Sequence, residues 1–437
     1  MAGNKLKNNS IFAAVGAATG LGNAFRFPAL CVKYGAAFII CYALALAVVC
    51  FPLLFAEFKI GRDCLLGKRA RVWAAIMRVA AANSALIGAY YAVIAAKLGG
   101  ACATFAFSGS ASGGSVFLFP VALAAVLALC FLILRGGQRA LSISGKISVG
   151  LSLTAFFSLA VTGIIRGGAF ASFSFSPLKG GAIWTDALGQ ALLALSLAGG
   201  VMPTFARAQN PSFKPLRAAV VIISANFSGC LLSVFATLPF IGGFSQAGAV
   251  ECALNLFPQI VFAVAKTEEG VKVFGSLFYT VLSIVAVHSL CSLATPLISQ
   301  VKYKVKSAPA LFCLFSFISA FAFSACNMQI LSACDQTACS VNAVIIALAE
   351  CVFFSSLRHI RGVIGVFIRI ICPATCLILA IFSVCGARYG VYPAVCNACA
   401  AACFAVVFAR AIPLSRLTFL VNKLKIKCRK NVKTKQQ

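Results

Sequence analysis

What most constrains this chain is a recurring unit. Apolar runs of about twenty residues alternate with short segments that carry the charge. A helix needs about 20 mainly apolar residues to cross a bilayer. Twelve such runs can be read, at roughly 11–32, 36–58, 74–98, 116–134, 147–165, 186–206, 216–243, 272–299, 308–325, 338–356, 362–384 and 390–412. Of the 437 residues, 62% are hydrophobic and only 10% charged, where a soluble domain carries about a quarter charged. The composition excludes an ordinary cytosolic enzyme and a disordered chain. It predicts an all-α polytopic membrane protein, with 1–437 as one integral membrane domain.

The formal charge of +29, from 37 basic and 8 acidic residues, would suggest nucleic acid in a soluble protein. Here it is a topology signal, because Lys and Arg in short loops mark the cytoplasmic side. Basic residues gather at Lys5 and Lys7, from Lys59 to Arg78, at Arg135, Arg139 and Lys146, and at Arg207, Lys214 and Arg217. They gather again at Lys302, Lys304 and Lys306, at Arg358 and Arg361, and from Arg410 to Lys435. With the N-terminus inside, all of these fall inside, and Asp186, Glu251, Glu268, Glu269 and Asp335 fall outside. This predicts a multi-pass protein of the cell (inner) membrane with both termini cytoplasmic and a basic tail over 413–437. Nucleic acid is not needed to account for the charge. The run after Lys5 and Lys7 lacks an A-x-A-like cleavage site and reads as a retained first span. The longest outer segment holds an amphipathic stretch, Val250 to Ala265, expected to form a helical cap.

The 21 cysteines do not form a disulfide framework. Cys41, Cys50, Cys130, Cys230, Cys313 and Cys376 sit in apolar runs, where a free thiol behaves as a small hydrophobe. Cys396, Cys399 and Cys403 share a helix face without a His or carboxylate to complete a metal site. Cys326 and Cys334 flank an outer loop in which a disulfide can form.

Two runs are interrupted. The first reads G-A-A-T-G-L-G-N-A-F-R-F-P from Gly16 to Pro28, and the sixth reads G-Q-A-L-L-A-L-S-L-A-G-G-V-M-P from Gly189 to Pro203. Broken helices are tolerated in a bilayer only where the freed backbone groups face protein or a cavity. A matched pair in two halves points to the site of a transporter built from inverted repeats. Half-helix N-termini suit an anionic carboxylate, and freed carbonyls suit a cation such as Na⁺.

The stretch Gly20-Leu21-Gly22-Asn23-Ala24-Phe25-Arg26-Phe27-Pro28 resembles the first-span signature of the neurotransmitter:sodium symporter family. Phe51-Pro52-Leu53-Leu54-Phe55-Ala56-Glu57-Phe58 with Gly61-Arg62 resembles the end of its second span. Tyr90-Tyr91, Gly189-Gln190 with Leu195-Ser196-Leu197, and Glu350 match in order and spacing. The resemblance implies a prokaryotic-type member with the leucine-transporter fold. Its 5+5 inverted repeat would comprise 11–165 and 186–356, with spans one and six broken and two peripheral helices at 362–412. It implies sodium-coupled import of an amino acid by alternating access, with the bilayer and the substrate as partners and no obligate protein partner.

The resemblance also implies roles. The backbone at Ala18, Leu21 and Gly22 would cradle the substrate carboxylate, with the Tyr91 hydroxyl. Ile87, Leu193, Ala194, Ser196, Gly199, Ser289 and Leu293 would line the pocket. Gly199 stands where many relatives hold an aromatic, which implies room for a bulky or aromatic substrate. A first sodium site would use Ala18, Asn23, Ala194 and Asn226. A second would use Gly16, Thr19, Val285, His288 and Ser289. Arg26 and Asp335 would form the outer gate, and Glu57 would bond the amides of a broken helix.

Several positions depart from the family pattern. Ala194 lacks the hydroxyl of a first-site Thr, and Ala17 replaces a common Asn. His288 stands where a hydroxyl residue is usual, which predicts weakened or less stoichiometric sodium coupling. Its imidazole is also a candidate proton carrier. Tyr42 and Gln190 remain from a chloride site, but Ala194 and Cys230 replace its hydroxyls, so chloride is not predicted. Lys5 and Lys7 stand at the inner gate without a Trp. Proton-coupled or uncoupled transport on the same fold is the alternative, followed by a non-transporting amino-acid-binding or scaffold protein. No nucleophile–base pair or metal ligand set supports a membrane enzyme.

Overall fold

The computed structural model describes residues 9–62, 67–109, 118–165, 181–209, 213–240, 249–300, 307–324, 328–357 and 362–386. The last predicted run, the basic tail, Lys5, Lys7, Cys326 and the cysteines at 396, 399 and 403 lie outside them. Every regular element among the described residues is a helix. Eight of these are long and apolar enough to cross a membrane. The first and sixth runs fall short of that length because each is split.

Span one comprises Asn9–Ala18, a π-helical turn Gly22–Arg26 and Phe27–Tyr34. Span two runs from Ala37 to Arg62 through a second π turn, Leu46–Cys50. Span three is a single 42-residue helix, Gly67–Ser108. Spans four and five, Leu118–Arg135 and Gly137–Ile165, form a hairpin whose turn is set by Gly137 at φ 64°. Span six splits into Ala182–Ala194 and Val201–Arg207. Spans seven, eight and nine are Pro215–Thr237, Glu268–Gln300 and Ala308–Ser324. Span ten is Met328–Gln336, a π turn Thr337–Asn342 and Ala343–Ser355. Span eleven runs from Gly362 to Gly386.

Spans three and eight pack along each other through the centre. Small residues make that approach close: Ala85, Ala89, Ala92, Ala95 and Ala96 are all buried on span three. Close backbone approach through small residues is how helices associate where lipid removes the hydrophobic drive. Span one lies against spans five and seven, and the second half of span six lies against span two. The predicted cap forms as Ala249–Val264. It buries Leu256, Phe257, Ile260 and Val261 and touches the outer parts of spans one and ten.

Three expectations require correction. Span ten begins ten residues earlier than the apolar run at 338, because Met328–Gln336 holds no Gly or Pro and continues the helix. Asp335 therefore lies inside a helix at 3% exposure, not in a loop, and Cys334 is buried beside it. Asp186 is likewise 5% exposed within span six. Each acid is neutralised by a basic partner distant in the chain, Asp335 by Arg26 and Asp186 by Lys33.

Candidate substrate and cation site

The two breaks meet at the centre of the helical bundle. In span one the helix stops at Ala18, and the chain turns through Thr19 and Gly20. The freed N–H of Leu21 donates to Ser289 Oγ of span eight at 2.9 Å. A Cβ at Gly20 would lie 2.4 Å from that oxygen, so only glycine admits the contact. The carbonyl of Ala18 accepts from Asn23 Nδ2 at 3.0 Å and from Asn226 Nδ2 at 2.6 Å. Asn226 Oδ1 accepts from the Tyr42 hydroxyl at 2.6 Å.

Span six breaks by another route. Residues 195–200 form turns in which Ser196 and Ala198 take φ of 51° and 54° and Gly200 takes 75°. Left-handed backbone at a non-glycine residue is strained and persists only where the surroundings impose it. Here Glu57 Oε1 accepts from the Ala198 N–H at 3.0 Å, and Ser84 Oγ donates to the Gly199 carbonyl at 2.8 Å. Glu57 and Glu350 are both 0% exposed, and Glu57 Oε2 and both Glu350 carboxyl oxygens are buried without a hydrogen-bond partner.

Between the breaks, Ala17, Gly20, Leu21, Gly22, Asn23, Tyr91, Leu193, Ala194, Ser196, Ser289 and Leu293 line a common cavity. Of the residues predicted to bind substrate, eight are in this lining. A Cβ at Gly22 would lie 3.4 Å from the Tyr91 hydroxyl, so that hydroxyl rests against the span-one backbone. The cavity measures about 20 Å³, room for about one water.

Ile87 and Ala18 stand behind this lining. Gly199 requires a correction. A Cβ there would lie 2.9 Å from Ser84 Oγ, so the glycine faces span three and its missing side chain is filled by Ser84. The glycine adds no room to the cavity.

Above the cavity lies a closed polar layer. Arg26 Nε donates to Asp335 Oδ2 at 2.8 Å, with side chains 2% and 4% exposed. Arg26 Nη1 donates to Gln190 Oε1 at 2.8 Å, and Gln190 Nε2 to the Gly22 carbonyl at 3.1 Å. The Tyr90 hydroxyl donates to Asp335 Oδ1 at 2.9 Å. This network joins spans one, three, six and ten. The role of Tyr90 was not read from sequence, although it stands beside Tyr91 in the quoted motif.

A second tie nearby was also missed. Asp186 Oδ2 accepts from the Tyr34 hydroxyl at 2.7 Å and from Lys33 Nζ at 3.2 Å, and Asp186 Oδ1 accepts from Ser340 Oγ at 3.1 Å. The signal available was an acid within an apolar run, which is a functional hypothesis by default in a membrane helix.

The first predicted cation set fits a small hard ion. The Ala18 carbonyl and the Asn23 and Asn226 side chains converge, and rotating each amide by 180° turns its oxygen toward the same point. Ala194 lies at the cavity wall without a side-chain oxygen. The second set fits a hard ion less well: His288 offers a nitrogen in place of an oxygen, and its ring packs against Gly16, with Nε2 2.6 Å from where a Cβ would stand. No group of His, Cys, Asp and Glu suited to a metal ion occurs among the described residues.

Residues 4–107 match the Sodium:neurotransmitter symporter family. No curated protein matches the chain by sequence. The chain is similar to the crystal structure of MhsT in complex with L-phenylalanine. The two are 22% identical over 86% of this chain and 98% of that one, with a TM-score of 0.74. The likeness establishes the fold, which is the leucine-transporter fold.

Proposed function

We propose that this chain imports an amino acid, with a bulky or aromatic one as the first candidate, coupled to sodium by alternating access. We place it in the cell membrane with both termini in the cytoplasm, as the loop charges require. The observation that carries this reading is the cavity between two broken helices, roofed by the buried Arg26–Asp335 pair. The match over residues 4–107 supports sodium coupling, and the phenylalanine in the similar structure supports the substrate class.

In this reading Leu21 and Gly22 present backbone N–H groups to the carboxylate, and Leu21 exchanges Ser289 for it. Tyr91 donates its hydroxyl to the same group. Leu193, Ser196 and Leu293 receive the side chain. Ala18, Asn23 and Asn226 hold the ion. A bound sodium ion supplies positive charge beside the carboxylate, which links the two affinities. Opening toward the outside separates Arg26 from Asp335 and Gln190. Closure restores the pair over the loaded cavity. Glu57 keeps the span-six turn in place while the helices on either side tilt.

The test is uptake into proteoliposomes of a panel of labelled amino acids, phenylalanine among them, under an inward sodium gradient and with choline in its place. Sodium-dependent accumulation of one or more is expected. No accumulation of any, by protein that is folded and correctly inserted, contradicts transport.

A further inference from the structure

The imidazole of His288 has no part in the mechanism above, yet it is 1% exposed and held on every side. Its Nδ1 lies 2.8 Å from Ser144 Oγ, which anchors the ring to span five. Its opposite edge presses into span one. A Cβ at Gly16 would lie 2.6 Å from Nε2 and 3.2 Å from Cδ2. A Cβ at Gly145 would lie 3.1 Å from Cε1. Glycines on spans one and five therefore make the slot that the ring fills.

Of the side-chain oxygens around this position, Ser289 Oγ accepts from the Leu21 N–H, and Thr19 Oγ1 donates to the Val15 carbonyl at 2.9 Å. An imidazole nitrogen in place of a hydroxyl gives one soft donor where a hard cation needs several oxygens. The first set offers only oxygens, whereas the second includes the imidazole, so the two cradles differ in kind.

We propose that the His288 side chain permanently fills the second cation position, so that the chain moves one sodium ion per amino acid. This rests on the sodium-symport reading above. Filling is steric and needs no change of protonation. The ring bridges spans one, five and eight at the place where a second ion would otherwise tie them together.

The experiment is dual-label flux in proteoliposomes, counting ²²Na⁺ and labelled amino acid over the same interval. The expected wild-type ratio is about one, with hyperbolic dependence on sodium. A ratio of about two with sigmoidal dependence overturns the proposal while leaving sodium symport intact. Uptake unchanged by choline removes the symport reading, and the proposal with it. In His288→Thr the ratio is expected to rise to about two and the dependence to become sigmoidal. A folded His288→Thr that stays at one overturns the assignment of the missing ion to this position. Should His288→Thr fail to insert, the wild-type ratio decides alone.

Discussion

Spans one and six are both broken beside the same cavity, but by different means. Span one breaks at glycines, and its freed groups are met by side chains of other spans: Ser289 on the Leu21 N–H, Asn23 and Asn226 on the Ala18 carbonyl. Those partners are exchangeable, because a substrate carboxylate can replace a hydroxyl and a cation can replace an amide N–H. Span six breaks through strained turns at Ser196 and Ala198, held by the buried carboxyl of Glu57 and by Ser84. Those partners have no ligand to replace them. In the proposed function, span one is therefore the ligand-binding break and span six the hinge, which adds only side chains to the cavity wall.

The largest effect is expected where the two breaks are tied together. Arg26 holds Asp335 and Gln190 at once, and removing one partner of a buried ion pair costs about 3–5 kcal/mol because the other charge is left unpaired. Arg26→Ala should abolish uptake while leaving insertion intact. Wild-type uptake by that variant would break the claim that the pair closes the cavity.

Glu57 should matter next, and in a way that separates hinge from binding. Glu57→Ala leaves the Ala198 N–H unsatisfied in a buried site, which costs about 1–3 kcal/mol. Lower thermal stability and a slower maximal uptake rate are expected. Glu57→Gln keeps an acceptor oxygen and should recover most of both. If Glu57→Ala weakens amino-acid affinity and spares the maximal rate, span six is a binding break as well.

Tyr91→Phe probes the binding side. It removes one hydroxyl donor to a carboxylate, worth about 1.5–3 kcal/mol. Affinity should fall about tenfold or more, measured by equilibrium binding, with stability unchanged. Equal affinity would place the carboxylate elsewhere.

The smallest effect is expected at Ala198→Gly. Left-handed backbone costs a non-glycine residue roughly 1–2 kcal/mol, part of which the greater freedom of unfolded glycine offsets. A gain of up to about 1 kcal/mol is expected from thermal unfolding in detergent, with the N–H bond to Glu57 kept. Loss of stability would mean that the turn is not strained.

Much of this was legible in the sequence, for a physical reason. A membrane helix admits Gly, Asn and Arg at mid-depth only for cause, so Gly16 to Pro28 marked the break together with Arg26 and Asn23, whose buried partners the structure shows. Asn226 and Ser289 then followed from the resemblance, and the structure brings both to span one. What stayed hidden depends on contacts across the fold. Asp335 looked like a loop residue because its neutralising partner, Arg26, is far away in sequence. Gly199 looked like spare room because nothing in its own span shows that Ser84 fills it. The grip of Ser144 on His288 joins two spans that sequence order does not bring together.

The central claim is that the span-one break holds cation and amino acid side by side. If so, their binding is coupled, and coupling between two ligands is reciprocal. The direct measurement is equilibrium binding on the purified protein, using an amino acid found by the uptake panel. Its affinity is read at zero and saturating sodium, and that of sodium at zero and saturating amino acid. The account predicts that each ligand tightens the other by the same factor, about 5–150-fold in the usual range of such couplings. An amino acid that binds equally well in choline would contradict it.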